Sequence, residues 1–497
     1  QQLKQIGTAD LRNVTENSRK YRSSFLFDAR EAADQDLETI YSIGLNGIME
    51  LRILDSHFAA FESTLFSENM KSTKEENEKL DASIEAFLIH LSPYFLLKPA
   101  GKALEWLIRR FRINEFNIDA VVACILPYHE TKAFVTMVST LRVENDSAWV
   151  FLKPVKTNRV IYERDLLVKR MKADKYILQF ICESTAKAVS KQLSFKTLFS
   201  FYAATMIEYI KREDNIDENT LLTLMPHLLA GVRAKQVPEY QIATYMILSQ
   251  MAVKMTMNEE ALKVLLAEMT YNYAPKYFEH YLLTTVHLAQ TQENFTAMPE
   301  KSYNALVVRE TYAEALLAIC HKFSADAYMR PLLVHLTNNI FKHTNIVHLL
   351  ASFLNSDYLS KDIVVSVCNQ IMYHFLQYVE KEGSDKAGTF VDTVKLPLQI
   401  LSQRHFEALD TALNNKLQKF TQHKSDANKL AVDHLYQFSA LAFNGTTHEV
   451  IKETNTTLYL SLQSPSTNVR LLAVKKLVSI TGEEDSSLAQ VCLQLFR

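Results

Sequence analysis

The feature that most constrains this chain is an apolar pattern recurring at three and four residues almost without interruption, as in "LLVKRMKADKYILQFICESTAKAV" and "LFSFYAATMIEYIKR". That period puts apolar side chains on one face of an α-helix, whereas the two-residue alternation of a half-buried strand is almost absent. Short polar breaks, "KREDNIDENT", "AGVRAKQVPEY" and "EKEGSDKAG", divide the pattern into helices of about 12 to 20 residues. Only nine glycines occur in 497 residues, and no pair of them opens a G-x-G-x-x-G or G-x-x-x-x-G-K loop. Doubly wound nucleotide-binding enzymes need glycine where backbone approaches a cofactor, so that class is disfavoured. The chain reads as all-α, with a serial array expected in place of one very large core.

Near the end, "LYLSLQSPSTNVRLLAVKKLVSI" runs a helix into Leu462 and breaks it at Pro465. Val469, Leu472, Ala473 and Leu477 then make one apolar stripe, and Arg470 is placed to answer acidic or carbonyl groups of an inter-repeat turn. This resembles a HEAT repeat, whose paired helices recur at about 40 residues. The fold expected is a HEAT/armadillo-like α-solenoid of stacked antiparallel helix pairs, each pair covering its neighbour's apolar face. The charged tract Glu68 to Asp81 and the break Tyr378 to Thr393 suggest three stretches: an N-terminal helical segment 1–70, an array 71–380, and continuing HEAT-like repeats 381–497. The chain starts without methionine and closes on the helix-like "SSLAQVCLQLFR", so it reads as truncated at the C-terminus.

Several function classes lose support at this level. A net charge of −2 provides no global field for collecting nucleic acid, which leaves only local basic strips. Cys124, Cys182, Cys320, Cys368 and Cys492 stand too far apart for a zinc knuckle or redox pair, and read as small buried side chains in a reducing compartment. No apolar run approaches the roughly 20 residues of a bilayer span, and the first residues are too polar for a secretory signal, so an intracellular protein without a membrane partner is expected. His129 and Glu130 in "LPYHETKAF" lack the second histidine of a zincin helix, and a turn after Pro127 suffices to explain them. The remaining histidines, among them His280, His287, His321 and His335, are scattered. No catalytic residue, metal, cofactor or small-molecule substrate is expected.

The stretch "KALEWLIRRFRINEFN", Lys102 to Asn117, sets three arginines beside an apolar helix. On a helical wheel Leu104, Leu107, Ile108 and Phe111 share one sector while Trp106 faces away, so neighbours are expected on two sides. Glu105 stands four residues before Arg109, the favourable order for an intrahelical ion pair, and Arg110 is placed to lie over Trp106. Arg112, past the apolar end, is the candidate for contacting a partner. The most basic region is "KPVKTNRVIYERDLLVKRMKADK", in which Lys153, Lys156, Arg159, Lys169, Arg170, Lys172 and Lys175 are candidate RNA contacts, with Arg164 in the same run. Tyr162 is its one central aromatic, which argues against stacking of single-stranded bases. Two readings stand, a solvated face and backbone contact with structured RNA.

Four strings in order carry a resemblance: "SSFLFDAREAADQDLETIYSIGLNGIMEL" (Ser23 to Leu51), "FESTLFSE" (Phe61 to Glu68), "LDASIEAFLIHLSPYFLLKPAGKALEWLIRRFRINEFN" (Leu80 to Asn117) and "LPYHET" (Leu126 to Thr131). They closely resemble the N-terminal region of the U3 small nucleolar RNA-associated protein 10 family, also called HEAT repeat-containing protein 1. The resemblance is strongest over residues 23 to 140; the later array agrees mainly in helical character. It implies a non-enzymatic nucleolar scaffold in the small-subunit processome, acting in preribosomal RNA processing, 18S rRNA maturation and early ribosome assembly. It further implies an early subcomplex rich in beta-propeller proteins on the 5' external transcribed spacer of preribosomal RNA, and in some organisms a link to ribosomal DNA transcription. The alternative is a nuclear transport or vesicle-adaptor α-solenoid, which an acidic groove for basic targeting segments would favour.

Overall fold

The computed structural model describes residues 23–66, 74–342, 344–422, 426–444, 446 and 448–481. They form two compact units, one from residues up to Met255 together with Asn272–Tyr277, the other from Thr256–Tyr271 and from Phe278 onward. The charged tract from Glu68 lies partly, and Cys492 and the closing "SSLAQVCLQLFR" wholly, outside the described residues.

The first unit contains α1 (Ala29–Asp34), α2 (Leu37–Leu54), α3 (Ala59–Leu65), α4 (Lys74–Leu91), α5 (Lys98–Phe111), α6 (Ile113–Phe116), α7 (Ile118–Ile125) and α8 (Lys132–Thr140). It continues through α9 (Lys153–Asn158), α10 (Arg164–Ala173), α11 (Lys175–Ser190), α12 (Lys196–Arg212), α13 (Glu218–Arg233) and α14 (Pro238–Lys254). Helices two apart in sequence lie side by side: α10, α12 and α14 form one layer, and α11 and α13 form the other. This alternation is what stacked helix pairs require, because each helix has a hairpin partner and a neighbour in the next pair.

Local chemistry sets the helix ends. Asp36, Thr131, Asp174 and Asp217 each accept a backbone N–H of the first turn of α2, α8, α11 and α13, and Asp28 with Glu31 closes a capping box on α1. Pro99, Pro154 and Pro238 stand in first turns, where a missing N–H costs nothing. The polar breaks "KREDNIDENT" and "AGVRAKQVPEY" fall at the α12–α13 and α13–α14 junctions.

The second unit contains α15 (Glu259–Asn272), α16 (Phe278–Thr291), α17 (Glu300–Val307), α18 (Tyr312–Cys320), α19 (Asp326–Asn338), α20 (Thr344–Leu354) and α21 (Lys361–Glu382). After these come α22 (Ala387–Thr393), α23 (Lys395–Arg404), α24 (Phe406–Gln422), α25 (Asp426–Ala442), α26 (Leu458–Leu462) and α27 (Thr467–Thr481). Two layers recur, α16–α19–α21–α24 and α18–α20–α23. The break "EKEGSDKAG" turns on Gly383, whose φ of 93° is a conformation that a side chain would strain. Helix is not the whole of it: β1 (Val450–Ile451) and β2 (Thr456–Thr457) pair antiparallel, a hairpin too short for alternation to show in the sequence.

The HEAT-like unit forms at α26 and α27, with one correction. Ala473 and Leu477 join Leu458, Leu462 and Ile451 in a small core supported by Val474, while Leu472 is 39% exposed. The buried stripe is turned by about one residue from the wheel assignment, because hairpin contact with α26 fixes the face. Arg470 does answer carbonyls, but those of its own helix pair and not of an adjacent inter-repeat turn: Nη1 donates to the oxygens of Ser464 (2.6 Å) and Pro465 (3.0 Å).

Candidate interaction surfaces

The three arginines of the opening stretch meet three different fates. Helix α5 buries both its Leu104–Leu107–Ile108–Phe111 sector and Trp106, because α2 covers the Trp106 side. There Gly44 and Gly47 of α2 remove the side chains that would separate the helices: a Cβ on Gly44 would stand 2.5 Å from Trp106 Cβ, and one on Gly47 2.8 Å from the Pro99 oxygen. The indole Nε1 donates to the Leu65 oxygen at 2.6 Å. Trp106 is therefore closed to Arg110. Among the described residues Arg110 stacks on no ring, which corrects the expected cation–π pair.

Arg109 is structural. Its Nε donates to Glu105 Oε1 (2.9 Å), and its Nη2 donates to the Ala32 oxygen (2.7 Å). Glu105 is fully buried, and its Oε2 accepts from Ser24 Oγ (2.9 Å) and the backbone nitrogens of Phe25 (2.7 Å) and Leu26 (3.2 Å). This buried pair fastens residues 24–32 onto α5.

Arg112 ends α5 with a left-handed φ of 52°. Its guanidinium pairs with Glu115, which also accepts from Arg142, and lies 5.1 Å from the Phe116 ring centre. With 36% of the side chain exposed, it presents an edge to solvent while already held. Arg110 is the arginine of this stretch that has no partner among the described residues. Sequence reasoning missed it because the wheel cannot show which face a glycine pair will draw inward.

Most cations of the basic run are spent inside the first unit. Lys156 donates to the Leu141 oxygen (2.7 Å), and burial, followed by neighbouring Arg159, lowers its pKa. Lys172 donates to the Arg212 oxygen (2.7 Å), and Lys175 to Tyr209 Oη (2.6 Å) and Thr220 Oγ1 (2.7 Å), tying α10 and α11 to α12 and α13. Arg170 pairs with Asp174 at 2.7 Å and lies 5.6 Å from the Phe151 ring centre; Arg164 reaches Glu130 at 3.8 Å. Lys169 pairs with Asp165 at 2.7 Å yet leaves 64% of its side chain exposed, and Lys153 holds Asn145. Arg159, in a left-handed turn with φ 55°, is exposed and has no side-chain partner among the described residues. The structure therefore does not gather the seven candidates into one free strip.

His129 is buried, with Nδ1 against the Tyr162 oxygen (2.5 Å) and the ring beside Phe201, a core role in the turn after Pro127. Cys124, Cys182 and Cys368 are buried and their thiols are pushed up to about 12, by burial first, which suppresses thiolate chemistry. Among the described residues no three His, Cys, Asp or Glu side chains converge on a metal position, and no helix is long and apolar enough to cross a membrane.

A groove of 680 Å³ follows the outer face of α12 between α10 and α14. Ser200, Ala203, Ala204 and Ala243 keep its floor low, and Phe199, Ile207, Ile242 and Met246 make it apolar. Its rim carboxylates are already engaged: Asp165 by Lys169 and Arg212, Glu208 by Arg212 (2.8 Å), and Glu239 by Ser194 Oγ (2.7 Å). The hydrogen bond from Lys169, then that from Arg212, hold the Asp165 carboxyl below its ordinary range. Lys196 and Lys211, at opposite ends of α12, have no partner among the described residues.

The layers and grooves define the class, an all-α solenoid of HEAT-type helix pairs. Comparison with known proteins then gives the family. The model of the family described as U3 small nucleolar RNA-associated protein 10 matches residues 220–336. The chain is 30% identical over 507 aligned residues to HEAT repeat-containing protein 1 of Homo sapiens, covering 93% of this chain and 23% of that protein. It is 34% identical over 364 residues to the Dictyostelium discoideum homolog (72% of this chain, 16% of the relative). To U3 small nucleolar RNA-associated protein 10 of Yarrowia lipolytica it is 29% identical over 335 residues (65% and 20%). The chain belongs to this family, and spans less than a quarter of the length of these relatives. The family model falls on α13 to α19, a region where sequence reading saw helical character and quoted no family string.

Proposed function

We propose that this chain is a non-enzymatic scaffold segment of the small-subunit processome, acting in nucleolar preribosomal RNA processing and 18S rRNA maturation. Its partners are beta-propeller and other protein subunits of the early subcomplex, with auxiliary contact to the 5' external transcribed spacer. The observation that carries the setting is its relationship to proteins named for association with U3 small nucleolar RNA, over most of its length.

Protein-led recruitment is supported by where the positive charge goes. Lys156, Arg170, Lys172 and Lys175 are engaged by neighbouring protein groups, leaving Arg159, with the half-buried Lys153 and the paired but exposed Lys169, for phosphate. Three cations suit an auxiliary contact, since phosphate-led binding scales with the number of charges neutralised. On α5, Arg110 and the exposed edge of Arg112 are the groups offered to a carboxylate-bearing partner. The unpaired charge beside the α12 groove is positive, the opposite of an acidic groove for basic targeting segments. That disfavours the transport reading.

Residue-level crosslinking in intact assembling particles tests the proposal. Protein crosslinks are expected along both units, with sparse RNA crosslinks centred on Arg159. Dense RNA crosslinks over both units, persisting after neighbouring proteins are depleted, would replace it with a primary RNA-binding solenoid.

A further inference from the structure

From the α12 groove we infer a docking site for an acidic amphipathic helix of another protein. The inference rests on the protein-scaffold reading and names the chemistry of one partner segment.

Three features of the groove point to this occupant. First, its floor sets short side chains at helical spacing along α12, Ser200, Ala203 and Ala204, with the longer Ile207 one turn after Ala203. Short residues let a second helix approach closely, and the larger side chains on α14 form the ridge against which it packs. Secondly, Lys196 and Lys211 are fifteen residues apart on one helix, about 22 Å along its axis, which a helix of about 15 residues would match. Such a helix seats its apolar face in a groove through residues spaced at three and four.

Thirdly, the charge balance selects the sign. The rim carboxylates are all engaged within the protein, while the ammonium groups of Lys196 and Lys211 are not. Lys196 is also the first residue of α12, which begins without a side-chain cap and without an acid in its first turn. A cation there opposes the helix dipole, and an incoming carboxylate would relieve both. Arg164 adds a third incompletely satisfied cation: its Nε is buried without a hydrogen-bond partner, and its one carboxylate lies 3.8 Å away. An apolar floor without an exposed aromatic platform favours protein over single-stranded nucleic acid.

The test is titration of the purified full chain with a fluorescein-labelled peptide of about 15 residues, with leucine at positions i, i+3, i+4 and i+7 and glutamate elsewhere. Controls are a scrambled peptide, a lysine-for-glutamate peptide and a single-stranded RNA oligomer. Saturable binding of the acidic peptide is expected, weakening by about tenfold in Lys196→Glu/Lys211→Glu and again in Met246→Glu, with circular dichroism unchanged. Lys196, Lys211 and Met246 are exposed, so folding is retained. Equal binding of the scrambled or lysine peptide, indifference to both variants, or displacement of the peptide by RNA would overturn the inference. Because the titration uses purified chain, its failure removes the groove and leaves the particle crosslinking result standing. The converse failure removes the processome setting and leaves the groove.

Discussion

Glu105 and Arg109, one turn apart on α5, form a buried ion pair whose other hydrogen bonds all go to the segment 24–32. Removing one partner strands the other charge in a dry environment. Arg109→Ala is therefore expected to cost about 3 to 5 kcal/mol in urea unfolding, and to expose the amides of Phe25 and Leu26 to hydrogen exchange. Glu105→Leu/Arg109→Met, which removes both charges, should cost less than either single change. A double variant that is worse than both would show that the pair contributes net stability rather than specificity.

The contact between α2 and α5 sets a second test. A methyl on Gly44 would meet Trp106 Cβ at 2.5 Å, inside any real contact, so the helices must part. Gly44→Ala should lower stability by about 1 to 3 kcal/mol and shift Trp106 emission to the red as water reaches the indole. An unchanged melting temperature and emission maximum would mean that α2 and α5 are not packed this closely in solution.

In the terminal helix pair, Leu477→Ala should cost about 2 to 5 kcal/mol in the local stability of α26 and α27, whereas Leu472→Ala should cost well under 1 kcal/mol. Leu477 is 5% exposed and Leu472 39%. Hydrogen exchange of residues 458–478 separates the two; equal effects would restore the wheel-based stripe.

The pH response follows from His129. Burial holds its pKa below the ordinary histidine range, with Arg164 acting in the same direction and Tyr162 and Glu130 opposing. The unfolded chain then binds the proton more readily, so stability is full above about pH 6.5 and falls as pH drops through that value toward the folded pKa. His129→Gln, which can still donate to the Tyr162 oxygen, should flatten the slope between about pH 7 and 5. An unaltered slope would assign the pH dependence to His227, His335 and His374, whose pKa values burial also lowers.

The periodic pattern by itself determined that the chain is all-α and that its helices pair serially, since a 3.6-residue repeat of apolar groups has one geometry that buries it. Local chemistry legible in the sequence also set the Glu105–Arg109 pair and the turn after Pro127. Pro226 and Pro331 lie inside α13 and α19 in spite of the usual stop signal, because flanking packing outweighs one lost hydrogen bond. Tertiary structure alone decided which face of each helix met which neighbour. Gly44 drew Trp106 inward and left Arg110 unpartnered, α26 turned Leu472 outward, and the ends of α12 and α13 absorbed Lys172 and Lys175. Each outcome depends on residues of another helix: packing is a relation between surfaces, and a helical wheel carries only one of them.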